Sequence, residues 1–295
     1  MAGAGNVRAI RDRIRSVSNT AKVTRAMQLV AASKMRRAQE RALAARPYSD
    51  QLRQVLSQLA AYTQAEGERV SHPLLEQREV KHFAYVHITA DRGLAGGLNS
   101  NMNRAGAGLV LERQPDVERV SVIPVGRKGR DFFRRAGFDL LAEFQELGDF
   151  PTPEDLRPLT RIIMDDFTSG AVDEVHIGFQ RFVTAVTQVP TMRQVLPIVP
   201  PSGEEASPID FIFEPSPQAL LETLLPRYVE LQVYEAVLEA RASEQSARVV
   251  AMQQATDAAN DMVDSLTLAY NKARQENITS ELLDIIGGVA ALENA

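Results

Sequence analysis

The feature that most constrains this fold is a long helical pattern at the C-terminal end of the chain. Ser216 and Pro217 form a good N-cap and first-turn pair, and from there to Gly287-Gly288 only Pro226 interrupts the pattern. About 70 residues of helix would span roughly 105 Å at ~1.5 Å per residue. A compact chain of this length would have a diameter of only about 50 Å. This helix is therefore expected to extend out of any globular part.

A second helical pattern, at the N-terminal end, has a seam of mostly small residues. The spacing along this seam alternates between four and three residues, which is typical of a coiled coil. The seam positions are Ile10, Ile14, Val17, Ala21, Thr24, Gln28, Ala31, Met35, Ala38, Ala42 and Ala45. Pro47 should kink or interrupt this helix. The heptad spacing resumes at Ser49, Leu52, Leu56 and Leu59.

The C-terminal pattern keeps heptad spacing as well. Its predicted seam is Met252, Ala255, Ala259, Met262, Leu266, Ala269 and Ala273. Small residues on both seams would let the two backbones approach closely, so we predict that the terminal helices pack side by side as a stiff rod.

The charge of the chain is divided unevenly. Residues 1–60 carry twelve Lys and Arg but three Asp and Glu, a net of +9, whereas the whole chain has a net charge of −5. Residues 227–295 have a net charge of −6. This division suggests that a basic helix meets an acidic partner, either inside the chain or outside it.

The middle of the chain, at about 78–200, alternates strand patterns with helical patterns. This alternation favours an α/β layer with a mostly parallel sheet. The strand-like run TQVPTMRQVLPIVP carries three prolines, so we place it at an edge of the sheet. The run PPSGEEASP at 200–208 has the composition of a linker to the C-terminal helix.

No pattern in the sequence points to a catalytic, cofactor or metal site. The loops DRGLAGGL (91–98) and VGRKGRD (125–131) match neither dinucleotide-binding nor Walker motifs, so structural turns are the better interpretation. The chain has no Cys, and its four histidines show no metal-ligand spacing. The first residues lack the apolar core of a secretory signal, and no apolar run is long enough to span a membrane. Nucleic acid is not an expected partner, because residues 1–60 contain a single aromatic residue, Tyr48.

Four motifs resemble the gamma-subunit family of the F-type ATP synthases. They are IRSVSNTAKVTRAMQLVAASKMRRAQ (14–39), DRGLAGGLNSN (91–101), PRYVELQVYEAVLEARASEQSARVVAMQQATDAA (226–259) and YNKARQENITSELLDIIGGVAAL (270–292). The resemblance implies an α/β fold class in which the terminal helices form a long antiparallel coiled coil. It also implies a Rossmann-like α/β domain with a parallel-rich sheet. The expected domains are residues 1–70, 71–208 and 209–295.

The resemblance further implies a non-catalytic rotor subunit in the central stalk of an F-type ATP synthase. Such a subunit would transmit torque between the membrane c-ring, which carries protons or sodium ions, and the catalytic ring of alpha and beta subunits. The implied partners are the alpha, beta and epsilon subunits and the c-ring. Association with the membrane would be peripheral and indirect, on the cytoplasmic face of a bacterial cell membrane.

The resemblance also assigns partner contacts by motif position. Met27, Arg248, Gln275 and Thr279 match family contacts to a catalytic subunit. Phe213 and Glu214, in the run FIFEP (211–215), match the side that faces the c-ring and epsilon. Two alternatives stay open from the residues alone, a free-standing coiled-coil adaptor and an enzyme built on the α/β domain.

Overall fold

The computed structural model describes residues 2–65, 72–199, 214 and 216–293. It contains five helices, one short 3-10 helix and four strands over these residues. The helices are α1 (Ala2–Ala65), α2 (Leu98–Arg113), α3 (Arg127–Arg135), α4 (Pro153–Thr168) and α5 (Pro217–Glu293). The strands are β1 (His82–Ile88), β2 (Arg119–Val125), β3 (Glu174–Phe182) and β4 (Gln188–Leu196), and the 3-10 helix is Pro73–Leu75.

The chain divides into two compact units, which are described separately below. Unit 1 contains Met1–Val30 and Val249–Ala295, and unit 2 contains Ala31–Arg248. Both long terminal helices contribute residues to both units. The predicted domain boundaries at 70/71 and 208/209 lie outside the described residues, so they stay a prediction.

Unit 2 contains a four-stranded sheet with the order β2-β1-β3-β4. β1 pairs in parallel with both β2 and β3, whereas β4 runs antiparallel to β3. The sequence predicted both the mostly parallel sheet and the edge position of the proline-containing strand, and the sheet confirms them. Pro190 in β4 is tolerated there because an edge strand needs hydrogen bonds on one side only.

Two apolar clusters form the core of unit 2. The larger one joins the sheet to α4, to Leu52, Leu56 and Leu59 of α1, and to the first turns of α5. The smaller one lies around Phe83 and Phe133. The amphipathic patterns of these segments therefore account for which face each element buries.

Unit 1 is an antiparallel pair of helices. Arg11 contacts Tyr270, Thr24 contacts Thr256 and Gln28 contacts Gln253, so rising numbers on α1 meet falling numbers on α5. The seam predicted on α1 is confirmed in this unit, since Ala21 and Thr24 are buried and Ile10, Ile14, Val17 and Gln28 are half-buried.

The seam predicted on α5 is wrong at alternate positions. Met262 and Ala269 are exposed, while their neighbours Val263 and Tyr270 are half-buried. Thr256 likewise is more deeply buried than Ala255. The correct seam steps from Met252 by four and then three residues, and this register lets Thr256 and Tyr270 hydrogen-bond to α1.

Neither proline interrupts its helix. α1 runs from Ala2 to Ala65 with Pro47 inside it, and α5 runs through Pro226 and continues past Gly287-Gly288 to Glu293. The sequence predicted that Pro47 would kink or interrupt α1, and the helix is not interrupted. A proline inside a helix loses one hydrogen bond and crowds the preceding turn. Burial of Leu52, Leu56 and Leu59 after Pro47, and of Leu225 and Val229 around Pro226, offsets that cost.

None of the helices in the described ranges is both long enough and apolar enough to cross a membrane.

Candidate functional site

The residues predicted to contact partners lie in different places. Met27 is half-buried on α1, and Gln275 and Thr279 are exposed on α5, all three in unit 1. Glu214 is exposed, and Phe213 lies outside the described residues. Each assignment stays a prediction, but the exposure of Gln275, Thr279 and Glu214 leaves these side chains available to another subunit.

Arg248 differs from the other predicted contacts because it is held within its own chain. Its side chain is 12% exposed and its Nη2 lies 2.8 Å from Glu244 Oε1. The same nitrogen donates to the carbonyl oxygen of Gly93 at 3.3 Å. Arg248 therefore ties the DRGLAGGL loop to α5, and any contact with a partner would have to share its guanidinium group.

The DRGLAGGL loop uses its polar groups inside the chain. The Asp91 carboxylate accepts a hydrogen bond from the Arg127 backbone N–H at 3.0 Å and lies 3.7 Å from Arg241. The Ala90 N–H donates to Asn99 Oδ1 at 3.1 Å. Leu94 is exposed with a φ of 62°, an uncommon backbone conformation for leucine. These contacts are those of a turn that fastens β1 to α2, α3 and α5.

The VGRKGRD loop brings a turn of backbone against the end of β1. Gly126 has a φ of 103°, and a Cβ atom there would lie 2.2 Å from the carbonyl oxygen of Thr89. The Gly129 N–H donates to Thr89 Oγ1 at 2.8 Å. Only glycine fits the Gly126 position, so close packing accounts for the glycine-rich character of this loop.

His87 is completely buried beside these glycines. Its Nε2 lies 2.9 Å from Asn103 Oδ1, its ring packs edge-on against Phe133, and its Nδ1 lies 3.1 Å from the hydroxyl of Tyr85. Burial lowers the pKa of His87 to about 4, and the hydrogen bond with Asn103 only partly opposes this. His87 is therefore a neutral core residue.

A cleft of about 530 Å³ lies between α1, β4 and α5 in unit 2. Its charged groups mostly neutralise one another, since Glu235 lies 2.7 Å from Arg53 and 3.6 Å from Arg193. Over the described ranges, no group of His, Asp and Glu residues is arranged to hold a metal ion.

Unit 1 carries a row of cations that the sequence did not single out. Arg8, Arg11, Arg15 and Lys22, called the basic stripe below, are all exposed and lie on one face of α1 because their spacing follows the helical repeat. Among the described residues, none of the four is within 4.0 Å of a carboxylate. Arg11 donates instead to the Tyr270 hydroxyl at 2.5 Å.

Hydrogen bonds, and among the described residues no ion pairs, join the two helices of unit 1. Thr24 and Thr256 pair at 2.7 Å, and Gln28 donates to Gln253. The sequence suggested that the opposite charges of the two helices would attract each other, but no ion pair joins them within the described part of this unit. The basic stripe thus has no ion-pair partner within the described part of this unit.

The last turns of α5 present apolar side chains to solvent. Ile278, Leu282, Ile285, Ile286 and Val289, called the apolar terminal face below, are between 48% and 63% exposed. They fall within one arc of the helix, while the acids Glu281 and Asp284 lie outside it. Exposed apolar clusters of this kind mark contact surfaces for other proteins.

Comparisons with known proteins agree with the architecture. The sequence profile of the ATP synthase family matches residues 6–292. An ATP synthase gamma chain from Dehalococcoides mccartyi is 53% identical over 287 residues, covering 97% of this chain and 99% of that protein. One from Legionella pneumophila is 43% identical over 296 residues, covering 99% and 100%.

Solved structures share the fold at low sequence identity. A chain of the Euglena gracilis mitochondrial ATP synthase aligns with a TM-score of 0.66 at 20% identity, over 98% of this chain and 95% of that one. A central stalk/c-ring chain from Tetrahymena thermophila gives 0.60 at 24% identity, over 79% and 99%.

The resemblance drawn from four sequence motifs is thus confirmed over nearly the whole chain. The chain belongs to the gamma-chain family of the ATP synthases.

Proposed function

We propose that this gamma chain is the central shaft of an F-type ATP synthase and performs no catalysis itself. The observation that carries the proposal is the antiparallel helix pair of unit 1, in which, over the described residues, no ion pair joins the helices and the basic stripe has no carboxylate partner. Catalytic nucleotide sites would lie on the alpha and beta subunits that surround it. The shaft would transmit torque between them and a c-ring that carries protons or sodium ions.

A helix pair with cations along one face of α1 presents different surfaces in different directions. Each surrounding catalytic subunit would therefore meet a different side of the shaft and favour a different conformation. Rotation would exchange these contacts, and long-range attraction between the basic stripe and acidic loops would favour them without a fixed partner.

The apolar terminal face supplies a second contact with different chemistry. Exposed Ile, Leu and Val side chains make non-directional contacts, so they would allow turning inside an apolar sleeve formed by the ring of alpha and beta subunits. A directional hydrogen bond or a buried ion pair would hold one orientation instead. The apolar terminal face would therefore allow the end of α5 to rotate against its partner subunits.

The α/β part of unit 2 would contact the epsilon subunit and the c-ring, with Glu214 and Phe213 on that side. Association with the membrane would be peripheral, through the complex, on the cytoplasmic face of the cell membrane. Met27, Gln275 and Thr279 would contact catalytic subunits, and Arg248 would do so while it holds the DRGLAGGL loop.

Reconstitution tests this proposal. The purified chain would be mixed with separately purified alpha and beta subunits, followed by measurements of complex formation and ATP hydrolysis. We expect a stable complex whose hydrolysis depends on this chain and declines as residues 270–295 are removed stepwise. Nucleotide hydrolysis by the chain alone would contradict the proposal, and failure to form a complex would favour a free-standing adaptor.

A further inference from the structure

Residues 139–150, called the strap below, run along the free edge of β2 and are fixed to the sheet. Leu141 N–H donates to the carbonyl oxygen of Val122 at 3.1 Å, and Phe144 N–H donates to that of Pro124 at 3.0 Å. Gly126 N–H donates in return to the Phe144 oxygen at 2.7 Å. The strap therefore moves with the sheet.

The strap is fixed to α3 as well. Arg130 donates to Gln145 Oε1 at 2.7 Å, and Arg134 lies 2.8 Å from Glu143. Arg127 lies 3.2 Å from Glu146. With bonds to β2 on one side and to α3 on the other, the strap has little freedom to shift along the sheet.

The end of the strap contacts helix α1. Lys34 Nζ lies 2.7 Å from Asp149 Oδ2, and Arg41 donates to the Phe150 carbonyl oxygen at 3.1 Å. The guanidinium groups of Arg41 and Arg37 lie 4.7 and 5.8 Å from the centre of the Phe150 ring. Lys34, Arg37 and Arg41 occupy one face of α1, because their spacing of three and four residues follows the helical repeat.

The charges at this contact act together. Burial alone would raise the pKa of Asp149, but the hydrogen bond and charge of Lys34 outweigh it, so the pKa of that carboxyl lies below its ordinary range. A single exposed ion pair is weak, because solvent and salt screen it. Here the three cations contact two neighbouring residues. Asp149 is bound through its charge, and Phe150 through its aromatic face and its carbonyl oxygen.

We infer that Lys34, Asp149 and Phe150 are positioning residues, which fix the rotation of α1 relative to the α/β part of unit 2. This inference rests on the proposed function, because it names where torque passes between the shaft helix and that part. The contact lies in the half of α1 that belongs to unit 2, before the helix buries Leu52, Leu56 and Leu59 in the core. If the strap were released, the helix could twist before the α/β part followed.

A charge-swap series tests the inference. The variants are Asp149→Lys, Lys34→Asp and the double exchange, with Glu118→Lys as the matched control. Glu118 is also an exposed loop acid in unit 2, but its nearest lysine, Lys81, is 4.0 Å away. Amide hydrogen exchange over residues 33–44 of the purified chain reports the contact. Ion transport per ATP hydrolysed, in reconstituted ATP synthase vesicles, reports the positioning role.

We expect each single variant to speed exchange over 33–44 and to lose ion transport per ATP. The double exchange should restore much of both, and Glu118→Lys should alter neither. Faster exchange with unchanged transport per ATP would overturn the positioning role, since a merely structural contact would behave that way. Unchanged exchange in the single variants would overturn the contact itself. Failure of the wild-type chain to assemble would count against the proposed function instead, because the exchange result does not depend on assembly.

Discussion

The hydroxyl groups of Thr24 and Thr256 lie 2.7 Å apart in the buried seam between α1 and α5. Thr24 Oγ1 is also 3.0 Å from the carbonyl oxygen of Ala21, and Thr256 Oγ1 is 2.8 Å from that of Met252. Two hydroxyls have only two protons for these three contacts. One threonine therefore donates to the other, and the acceptor donates to its own helix.

Removing both of these hydroxyls should cost less than the sum of removing each one alone. Thr24→Val or Thr256→Val alone removes the hydrogen bond between the helices and leaves the other buried hydroxyl bonded only to its own helix, so each should lower the free energy of unfolding by about 1 to 2 kcal/mol. The double variant should lose less than the sum, because two valines fill the space without an unpaired polar group. Urea unfolding, monitored by the loss of helical circular dichroism, measures these changes. Thr20→Val is the control, since Thr20 is exposed on the same helix. Additive losses would mean that the two hydroxyls do not interact.

Acidification should destabilise unit 2 through His87. Its pKa is lowered to about 4 in the folded chain by burial, against an ordinary value of 6.5. The unfolded chain therefore takes up a proton first as the pH falls. The contribution of neutral His87 to the free energy of unfolding is fully present above pH ~6.5 and is lost as the pH falls through ~4. The total loss is roughly 3 kcal/mol.

Unfolding measured between pH 7 and pH 4 checks this effect. His87→Gln should flatten that part of the stability profile, even if it lowers stability overall. His72→Gln serves as the comparison: burial lowers the pKa of His72 in the same direction, but His72 is only half-buried, so this variant should flatten the profile less than His87→Gln. A profile that keeps its full slope in His87→Gln would show that other groups cause the acid loss.

Reversing the basic stripe should weaken assembly without unfolding the chain. In the triple variant Arg8→Glu, Arg15→Glu and Lys22→Glu, each altered residue is exposed and forms no ion pair with another described residue. We expect unchanged thermal unfolding but slower, weaker binding to the alpha and beta subunits, with a reduced dependence on salt. The control reverses three exposed cations of unit 2, Arg104, Lys128 and Arg161. Equal binding by the two triple variants would show that net charge matters and the stripe does not.

Met27→Lys should impair coupling more than folding. Met27 is half-buried at the edge of the seam, so a lysine can keep its stem on the helix and extend its amine to solvent. The added charge would strengthen attraction to an acidic loop of a catalytic subunit and hold the shaft in one position. Ion transport per ATP in the reconstituted complex measures this, with Ala26→Lys on the neighbouring exposed face as control. Normal coupling in Met27→Lys would mean that this residue does not face such a loop.

The mostly parallel sheet, the edge strand and the α1 seam could be predicted from the sequence, because these features depend on local patterns. Strand and helix alternation placed the parallel sheet, and three prolines placed β4 at its edge. The α1 seam also followed from spacing alone. These features depend on periodicity, which is visible in a single chain.

The α5 seam shows where a local pattern is insufficient. Met262 and Val263 are both apolar, and each fits a heptad step from Ala259. The choice between them depends on which side chains meet α1, and the hydrogen bonds of Thr256 and Tyr270 with α1 agree with Val263. Contacts between segments more than 200 residues apart are not encoded in the spacing of either one.

The candidate contact surfaces could likewise be predicted only in part from the sequence. The basic character of α1 was visible from composition, but the lack of ion pairs for the basic stripe among the described residues became visible only from the position of α5. The role of Arg248 in fastening the DRGLAGGL loop, and the contact of Lys34 with Asp149, likewise join residues that are distant in the chain. Helical spacing of Lys34, Arg37 and Arg41 was the one signal available for the strap contact.

Direct observation of rotation would test whether this chain turns as a shaft. The chain has no cysteine, so Arg104→Cys would supply a single exposed attachment point on α2. A bead attached there, on a complex immobilised through its alpha and beta subunits, would be followed during ATP hydrolysis. We predict stepwise rotation in one direction that stops when ATP is withdrawn. A bead that stays fixed while the same complex hydrolyses ATP would contradict the assignment of this chain as a rotating shaft.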